Sequence, residues 1–265
     1  MIKFRVFVSI VTYNNNPNEI KKILESLNHP QIQIGIMDNS DNKIISKKIK
    51  GITRKYSNSQ YRCLNENVGF GKAHNENIFN YGKNCDYICI LNPDVKIQSD
   101  EILHLINTLK TLNQNTILSP LLLNKDGSIQ SMVRLLPQSI FYYFCRLLSI
   151  NQKNYANYTN SIHRVPFIHG ACYLLQRKLF LSLQGFSKEF FLYCEDLDLC
   201  RKLYSYGGNC YVDSNCKIFH GYGRASRKEF KLFIIHLSSI ISYFKKWGFF
   251  YDEKAKTVNQ NFLKK

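Results

Sequence analysis

Five mostly apolar residues, Tyr87–Leu91, run directly into Asn92-Pro93-Asp94, and this junction constrains the fold more than any other stretch. A near-continuous apolar run of that length reads as a buried strand. Pro93 has no N–H to give a sheet ladder, so the strand ends there. Asn92 and Asp94 are therefore presented at the carboxyl end of a strand, where open α/β sheets take their ligands. An amide oxygen and a carboxylate two residues apart suit a hard cation carrying phosphates, Mg²⁺ or Mn²⁺. The same residues also make an ordinary Asn-Pro-Asp turn, so the rest of the chain must weigh the two readings.

The preceding chain repeats the pattern. Phe4–Thr12 is a strand-like run ending at Tyr13-Asn14-Asn15-Asn16-Pro17, after which Asn18 is expected to cap a helix to Leu27. Ile32–Met37 ends at Asp38-Asn39-Ser40. Tyr61–Leu64 is followed by Asn65–Gly71 and a helix from Lys72 to Tyr81, and Ser99 or Asp100 caps another helix to about Leu112. Strands alternating with helices, each strand ending in polar or glycine-bearing residues, predict an α/β fold: a Rossmann-like, mainly parallel sheet flanked by helices, with its site along one edge.

Beyond Thr116–Leu123 and the Asp126-Gly127 turn the rhythm breaks. Ser139–Ile150 reads as an aromatic helix and Asn151–Asn160 as a polar loop. Val165–Ile168 and Cys172–Leu175 read as a pair of strands joined by His169-Gly170-Ala171. Phe191–Asp198 opens a helix to Tyr206, stopped by Gly207-Gly208, and Asn209–Phe219 is a last strand ending at His220-Gly221. Ser226–Trp247 forms an amphipathic helix with Phe230, Phe233, Ile234, Leu237, Ile240, Ile241 and Phe244 on one face, bracketed by Lys228, Lys231, Lys245 and Lys246. The polar tail beyond Phe250 is expected to fray. This divides the chain into an α/β body, 1–223, and a C-terminal amphipathic helix with its polar tail, 224–265.

The 265 residues carry 36 Lys and Arg against 19 Asp and Glu, a net charge of +17. That balance favours phosphate-bearing or anionic partners: nucleotides, nucleic acid or a membrane surface. A nucleic-acid-binding protein would explain the charge but not the polar strand ends, and no RNA-binding signature occurs. The nine cysteines include Cys89 within a core strand, as expected for free thiols in a reducing compartment. Cys194, Cys200, Cys210 and Cys216 contain no C-x₂-C spacing for zinc. Met1–Val11 lacks a signal-peptide pattern, and no apolar segment reaches spanning length, so a cytosolic or peripheral protein is expected.

The strand ends fit a nucleotide-sugar pocket. Asp38 can accept a hydrogen bond from the N3–H of uracil or thymine, Thr12 and Tyr13 can flank the base, and Gly69 and Gly71 permit close backbone approach. Taken together, Val11–Asn14, Met37–Ser40, Asn65–Asn75 (NENVGFGKAHN), Leu91–Val95 (LNPDV), His169–Leu174 (HGACYL) and Phe191–Arg201 (FLYCEDLDLCR) resemble the family 2 glycosyltransferases of the GT-A fold. The NPDV and F-x-Y-x-E-D-x-D patterns look most like rhamnosyltransferases of O-antigen, capsule and cell-wall polysaccharide assembly.

The resemblance implies roles residue by residue. Asp94 matches the last carboxylate of the family's metal-binding D-x-D. Asn92 stands at its first position, a departure that removes one negative charge. Asp38 matches the base-reading acid, and Asn67, Gly69 and Asn75 lie in a matched nucleotide-sugar stretch. Asp196 matches the general base, with Glu195 beside it in support, and His220 looks like a histidine that joins the metal shell in some members. A surface His at a strand end is the alternative for His220. The implied reaction is an inverting transfer from a dTDP- or UDP-sugar, L-rhamnose or a hexose, to a lipid-linked glycan at the inner face of the cell membrane. It requires a divalent cation for the leaving diphosphate and a carboxylate for the acceptor proton. Acids in a helix's first turn also answer its dipole, and Asp198 is assigned that role, paired with Arg201 or Lys202.

Overall fold

The structure is a computed structural model that describes residues 4–130, 135–148, 161–221 and 230–264. The polar stretch Asn151–Asn160 and the expected helix start at Ser226, with Lys228, lie outside the described residues. The chain opens with β1 (Val6–Thr12), α1 (Pro17–Ser26), β2 (Ile32–Asp38), α2 (Lys43–Thr53), β3 (Ser59–Cys63), α3 (Phe70–Tyr81) and β4 (Tyr87–Leu91). Strand β1 pairs in parallel with β2 on one side and β4 on the other, and β3 lies beyond β2. The order β3-β2-β1-β4 means that the chain builds outward from β1 and then reverses to place β4 against its other flank. Such a reversal leaves a crevice at the strands' carboxyl ends. Thr12 pairs with Asp38 and Ile10 with Leu91, so Tyr13, Asn39 and Asn92 all emerge at this one edge.

The second half adds β5 (Val95–Lys96), α4 (Ser99–Thr111), β6 (Thr116–Leu123), α5 (Ile140–Leu148), β7 (Ile162–Val165), β8 (Cys172–Gln176), α6 (Arg177–Ser182), α7 (Glu195–Ser205) and β9 (Asn209–His220). Its pairing is mixed: β8 lies antiparallel between β4 and β6, β6 runs parallel to β9, and β5 and β7 are antiparallel to β9. The parallel pattern expected from the sequence thus holds for the first four strands. One main apolar cluster fills the space between the sheet and its helices, with β1 and β4 buried almost throughout.

Several local expectations change. Helix α1 is capped by Asn16, whose side chain accepts from Asn18 N–H, rather than by Asn18; Pro17 suits the first helical position because its fixed φ is already helical. The unanticipated α2 is capped by Asn42 and rich in β-branched residues (Ile44, Ile45, Ile49, Ile52, Thr53) of poor helix propensity. Packing of Ile49 and Thr53 overrides that preference. The expected pairing of Val165–Ile168 with Cys172–Leu175 does not form. Pro166 cannot extend the ladder beyond Val165, so β7 stays on β9 while β8 crosses to β4.

The tail is not frayed. Helix α8 (Phe230–Trp247) is followed by α9 (Glu253–Leu263), which buries Ala255 and Val258 in the main core. The Asn259 amide donates to Leu136 C=O and accepts from Leu136 N–H, at 2.8 and 2.9 Å. Asp252 caps α9 and forms a two-pronged pair with Arg201 on α7, at 2.6 and 2.8 Å. Arg201 is therefore not the partner of Asp198. No helix among the described residues is long and apolar enough to cross a membrane.

Candidate active site

At the β1 and β2 ends, Asp38 is wholly buried. Its carboxylate accepts from the hydroxyls of Thr12 (2.9 Å), Ser40 (2.5 Å) and Tyr61 (2.6 Å) and from Ser40 N–H (3.0 Å). Burial pushes the carboxyl pKa up, but these hydrogen bonds outweigh it and hold the group below its ordinary value. The expected base-reading acid thus faces the chain's own donors and ties the two strand ends together. The outward carboxylate is Asp41, which sequence reasoning missed. It accepts from Asn14 Nδ2 (2.7 Å) and Tyr13 OH (3.2 Å), and Tyr13 is half exposed. Its signal was the second acid in Asp38-Asn39-Ser40-Asp41.

The matched loop before α3 is used more for bracing than expected. Asn67 Oδ1 accepts from Gly69 N–H at 3.0 Å. Gly69 has φ 89°, and a Cβ there would stand 2.4 Å from Phe191 O, so both conformation and clearance require glycine. Phe70 N–H donates to Phe191 O at 2.8 Å, which joins α3 to the segment ahead of α7. Asn75 spends both ends of its amide on the Phe186 backbone, at 2.8 and 2.9 Å, and so braces that loop instead of facing the crevice as expected.

At the β4 end, Asp94 and His220 come together although they are far apart in sequence. Pairing of Val95 with His220 across β5 and β9 places the Asp94 carboxylate 3.4 Å from His220 Nε2. Asp94 is 35% exposed at its side chain and His220 only 3%. Burial raises the Asp94 pKa, but His220, with His169 nearby, leaves it below the ordinary carboxylate value. Gln130, another residue missed from sequence, accepts from His220 Nδ1–H through Oε1 at 3.0 Å and donates from Nε2 to His220 O at 3.0 Å. Gly221 lets the chain pass close to Asp94, since a Cβ there would lie 3.3 Å from the Asp94 Cβ.

This corner fits a divalent cation only in part. Asp94 and His220 provide oxygen and nitrogen donors, and Asn92 Oδ1 is buried without a hydrogen-bond partner. No group of three or more His, Cys, Asp or Glu residues among the described ones stands ready to hold a metal. A cation here needs oxygens from its ligand, as expected of a hard ion carried on a diphosphate.

The acidic pair begins α7. Asp196 accepts from Leu197 N–H (2.7 Å) through Oδ1 and from Gly170 N–H (2.9 Å) through Oδ2. Glu195 is buried, and its Oε2 has no hydrogen-bond partner. Burial, with the adjacent Asp196 adding to it, pushes the Glu195 carboxyl up to about 8. At neutral pH Asp196 is the member of the pair with donors for a negative charge, and Glu195 holds its proton. Asp198 does more than answer the helix dipole: it is fully buried and accepts from Ser187 OH (2.5 Å), Lys246 Nζ (2.8 Å) and Trp247 Nε1 (2.8 Å), with Lys202 at 3.9 Å. It fastens α8 to α7.

The tripeptide His169-Gly170-Ala171 joins the two corners. Ala171 O accepts from Asn92 N–H at 2.8 Å, Gly170 N–H holds Asp196, and the His169 ring centre lies 5.7 Å from that of His220. Three consecutive residues thus connect the Asp94–His220 corner to the acidic pair.

The chain resembles proteins whose chemistry fits such a crevice. Rhamnosyltransferase WbbL of Escherichia coli K12 is 29% identical over 255 residues, covering 90% of this chain and 92% of that protein. N-acetylglucosaminyl-diphospho-decaprenol L-rhamnosyltransferase of Mycobacterium tuberculosis is 24% identical, covering 74% of this chain and 69% of its own. Among solved structures, the mannosyltransferase PcManGT of Pyrobaculum calidifontis with GDP-Man and Mn²⁺ superposes with a TM-score of 0.65 at 13% identity, covering 98% and 69%. GalNAc-T7 with UDP, GalNAc and Mn²⁺ gives 0.61 at 15% identity; it matches 83% of this chain, which spans 43% of that one. These neighbours share the GT-A-like fold. Residues 7–184, two-thirds of the chain, match the pattern of glycosyl transferase family 2. The match takes in the strands from β1 to β8 and ends before α7 and β9; the chain belongs to glycosyl transferase family 2.

Proposed function

We propose that this protein is an inverting glycosyltransferase that moves a sugar, L-rhamnose from dTDP-rhamnose first among candidates, to a hydroxyl of a lipid-linked glycan in cell-surface polysaccharide assembly. The observation that carries this reading is the His169–Ala171 bridge, which ties the Asn92–Asp94 strand end and the hydrogen-bonded Asp196 carboxylate to one crevice. In-line displacement at an anomeric carbon needs those two groups on opposite sides of the reacting bond. Rhamnosyl transfer is named in both relatives described above, and one of them is named for a decaprenol-linked acceptor.

Tyr13, Asp41 and the Asp38-braced strand ends Thr12 and Ser40 receive the base. Asn67, Gly69 and Asn75 shape the sugar side through the loop they brace. Asp94, His220 and Asn92 would hold Mg²⁺ or Mn²⁺, which when bound would supply positive charge for the leaving diphosphate. Asp196 accepts the acceptor's proton as its oxygen attacks, and protonated Glu195 lines the same wall. Attack opposite to the departing diphosphate inverts the anomeric configuration.

Residues 1–223 constitute the catalytic body and 224–265 the C-terminal segment, whose helices α8 and α9 dock on that body while presenting a face to an anionic membrane at the inner surface of the cell. Along α8, Ile240, Tyr243 and Phe244 are buried, whereas Phe230 (78% exposed), Phe233, Ile234 and Ile241 stand out. Phe141 and Phe144 on α5 are exposed as well, and α5 meets α8 at Tyr143 and His236. An exposed aromatic face on a chain of +17 suits the interface of anionic lipid.

A thermal-shift screen of dTDP- and UDP-sugars with Mg²⁺ or Mn²⁺ tests the donor, because a ligand of the folded state raises its stability by mass action. A metal-dependent shift with dTDP-rhamnose, followed by transfer to a polyprenyl-diphosphate glycan, is expected. A shift confined to a UDP-hexose overturns the donor assignment. No shift with any nucleotide sugar, beside salt-sensitive oligonucleotide binding, overturns the enzyme reading.

A further inference from the structure

The backbone ahead of the acidic pair passes through two consecutive non-glycine residues in the left-handed region, Tyr193 (φ 71°) and Cys194 (φ 64°). There the Cβ crowds the backbone, so such a pair persists only where its surroundings hold it. Cys194 is the residue on which α7 begins, so this turn sets the direction in which Glu195 and Asp196 leave the loop. The two carbonyls before it are held by different elements. Phe191 O accepts from Phe70 N–H at the start of α3 (2.8 Å), and Leu192 O accepts from the Ser239 hydroxyl of α8 (2.8 Å).

Helix α8 also covers the turn itself. The Tyr193 ring packs on His236 with centres 4.8 Å apart, and Cys194 is buried with Ile240, Tyr243 and Phe244. Ser239 is itself buried. Helix α8 has independent anchors at its far end, where Lys246 and Trp247 reach Asp198. The Ser239 hydrogen bond is therefore not required to dock the helix, and what it acts on is the turn.

We propose that Ser239 is a positioning residue for the catalytic carboxylates: its hydroxyl holds the Leu192 carbonyl, keeps Tyr193–Cys194 left-handed and so aims Asp196 at the acceptor hydroxyl. This rests on the reading of Asp196 as the base. It makes a residue of the C-terminal segment, outside the family-matched stretch, part of the active-site frame. A base misplaced by a fraction of an ångström loses rate without weakening the donor, which binds at the other side of the crevice.

The test compares Ser239→Ala with wild type for kcat, donor KM, nucleotide affinity and hydrogen exchange. Expected is a fall in kcat of about tenfold or more with donor KM and nucleotide affinity unchanged, as for a displaced catalytic group. Faster exchange should be confined to the amides of 192–198. Adding Cys194→Gly to Ser239→Ala should recover kcat, because glycine adopts positive φ without restraint. Unchanged kcat and exchange in Ser239→Ala overturn the proposal. So does a loss of kcat that Cys194→Gly does not recover, with faster exchange along all of α8, since Ser239 then only anchors the helix. If Ser239→Ala does not fold, Ser239→Thr and Ser239→Cys replace it, and kcat must follow the strength of the remaining donor. If wild type transfers no sugar from any donor, the functional reading has failed, while exchange at 192–198 still decides whether Ser239 holds the turn.

Discussion

Replacing Glu195 by glutamine tests the acid–base assignment through stability. In the folded protein, burial and the neighbouring Asp196 push the Glu195 carboxyl up to about 8 from the ordinary value of 4.5. The folded pKa is raised, so the stability associated with this group is full below pH 4.5 and is lost as the pH rises towards 8. Over that span the unfolded chain has released the proton and the folded chain retains it. The wild type therefore loses about 1.4 kcal/mol per pH unit from this one group, or about 2–3 kcal/mol between pH 5.5 and 7.5. Glutamine has a similar shape and no proton to release. Glu195→Gln should accordingly gain about 2–3 kcal/mol on wild type between those two pH values, read from urea unfolding curves of both proteins at each pH. Because Glu195 is already uncharged at neutral pH, its kcat should stay within a few-fold of wild type, an effect small beside the loss of a base. An equal stability difference at both pH values would show that Glu195 is ionised when folded, which removes the reason for preferring Asp196 as the base.

Asp196→Asn should lower kcat by about 10²–10⁴ with donor affinity retained, measured by single-turnover rates beside nucleotide titration; a nearly active variant places the base elsewhere. Asp94→Ala should abolish turnover and erase the Mn²⁺-dependent gain in nucleotide affinity by calorimetry, while leaving the melting curve near wild type. Asp252→Ala leaves the Arg201 guanidinium buried without its carboxylate, so unfolding should become easier by about 3–5 kcal/mol, visible in denaturant titration. Liposome flotation should show binding to anionic vesicles at low salt that weakens as salt screens the lysines; no binding at low salt removes the membrane face of α8.

Local chemistry made much of the catalytic half legible. Tyr87–Leu91 is a strand with the same limits in sequence and in structure, because a long apolar run followed by proline has few other outcomes. Asn92 and Asp94 at a strand end and Glu195 and Asp196 at a helix start were legible as positions, because proline stops a strand and acids favour a helix's first turn. The α2 helix was not legible, because its β-branched residues favour strand locally and only burial against the sheet reverses the preference.

What the sequence determined by itself is the parallel half of the sheet, the polar edge where its strands end, and the kind of chemistry placed there. Tertiary structure alone decided which of those groups keep their polar atoms free of the chain's own donors and acceptors. Asp38 and Asn75 carry the right chemistry, yet Thr12, Ser40, Tyr61 and the Phe186 backbone occupy their polar atoms. It also decided that Asp94 meets His220, that Gly170 reaches Asp196, and that α8 and α9 close over α7. Hydrophobic periodicity and turn chemistry act within a few residues and are written in the sequence. Strand pairing and buried polar contacts join residues dozens to more than a hundred positions apart, and they exist only once the sheet has brought those residues together.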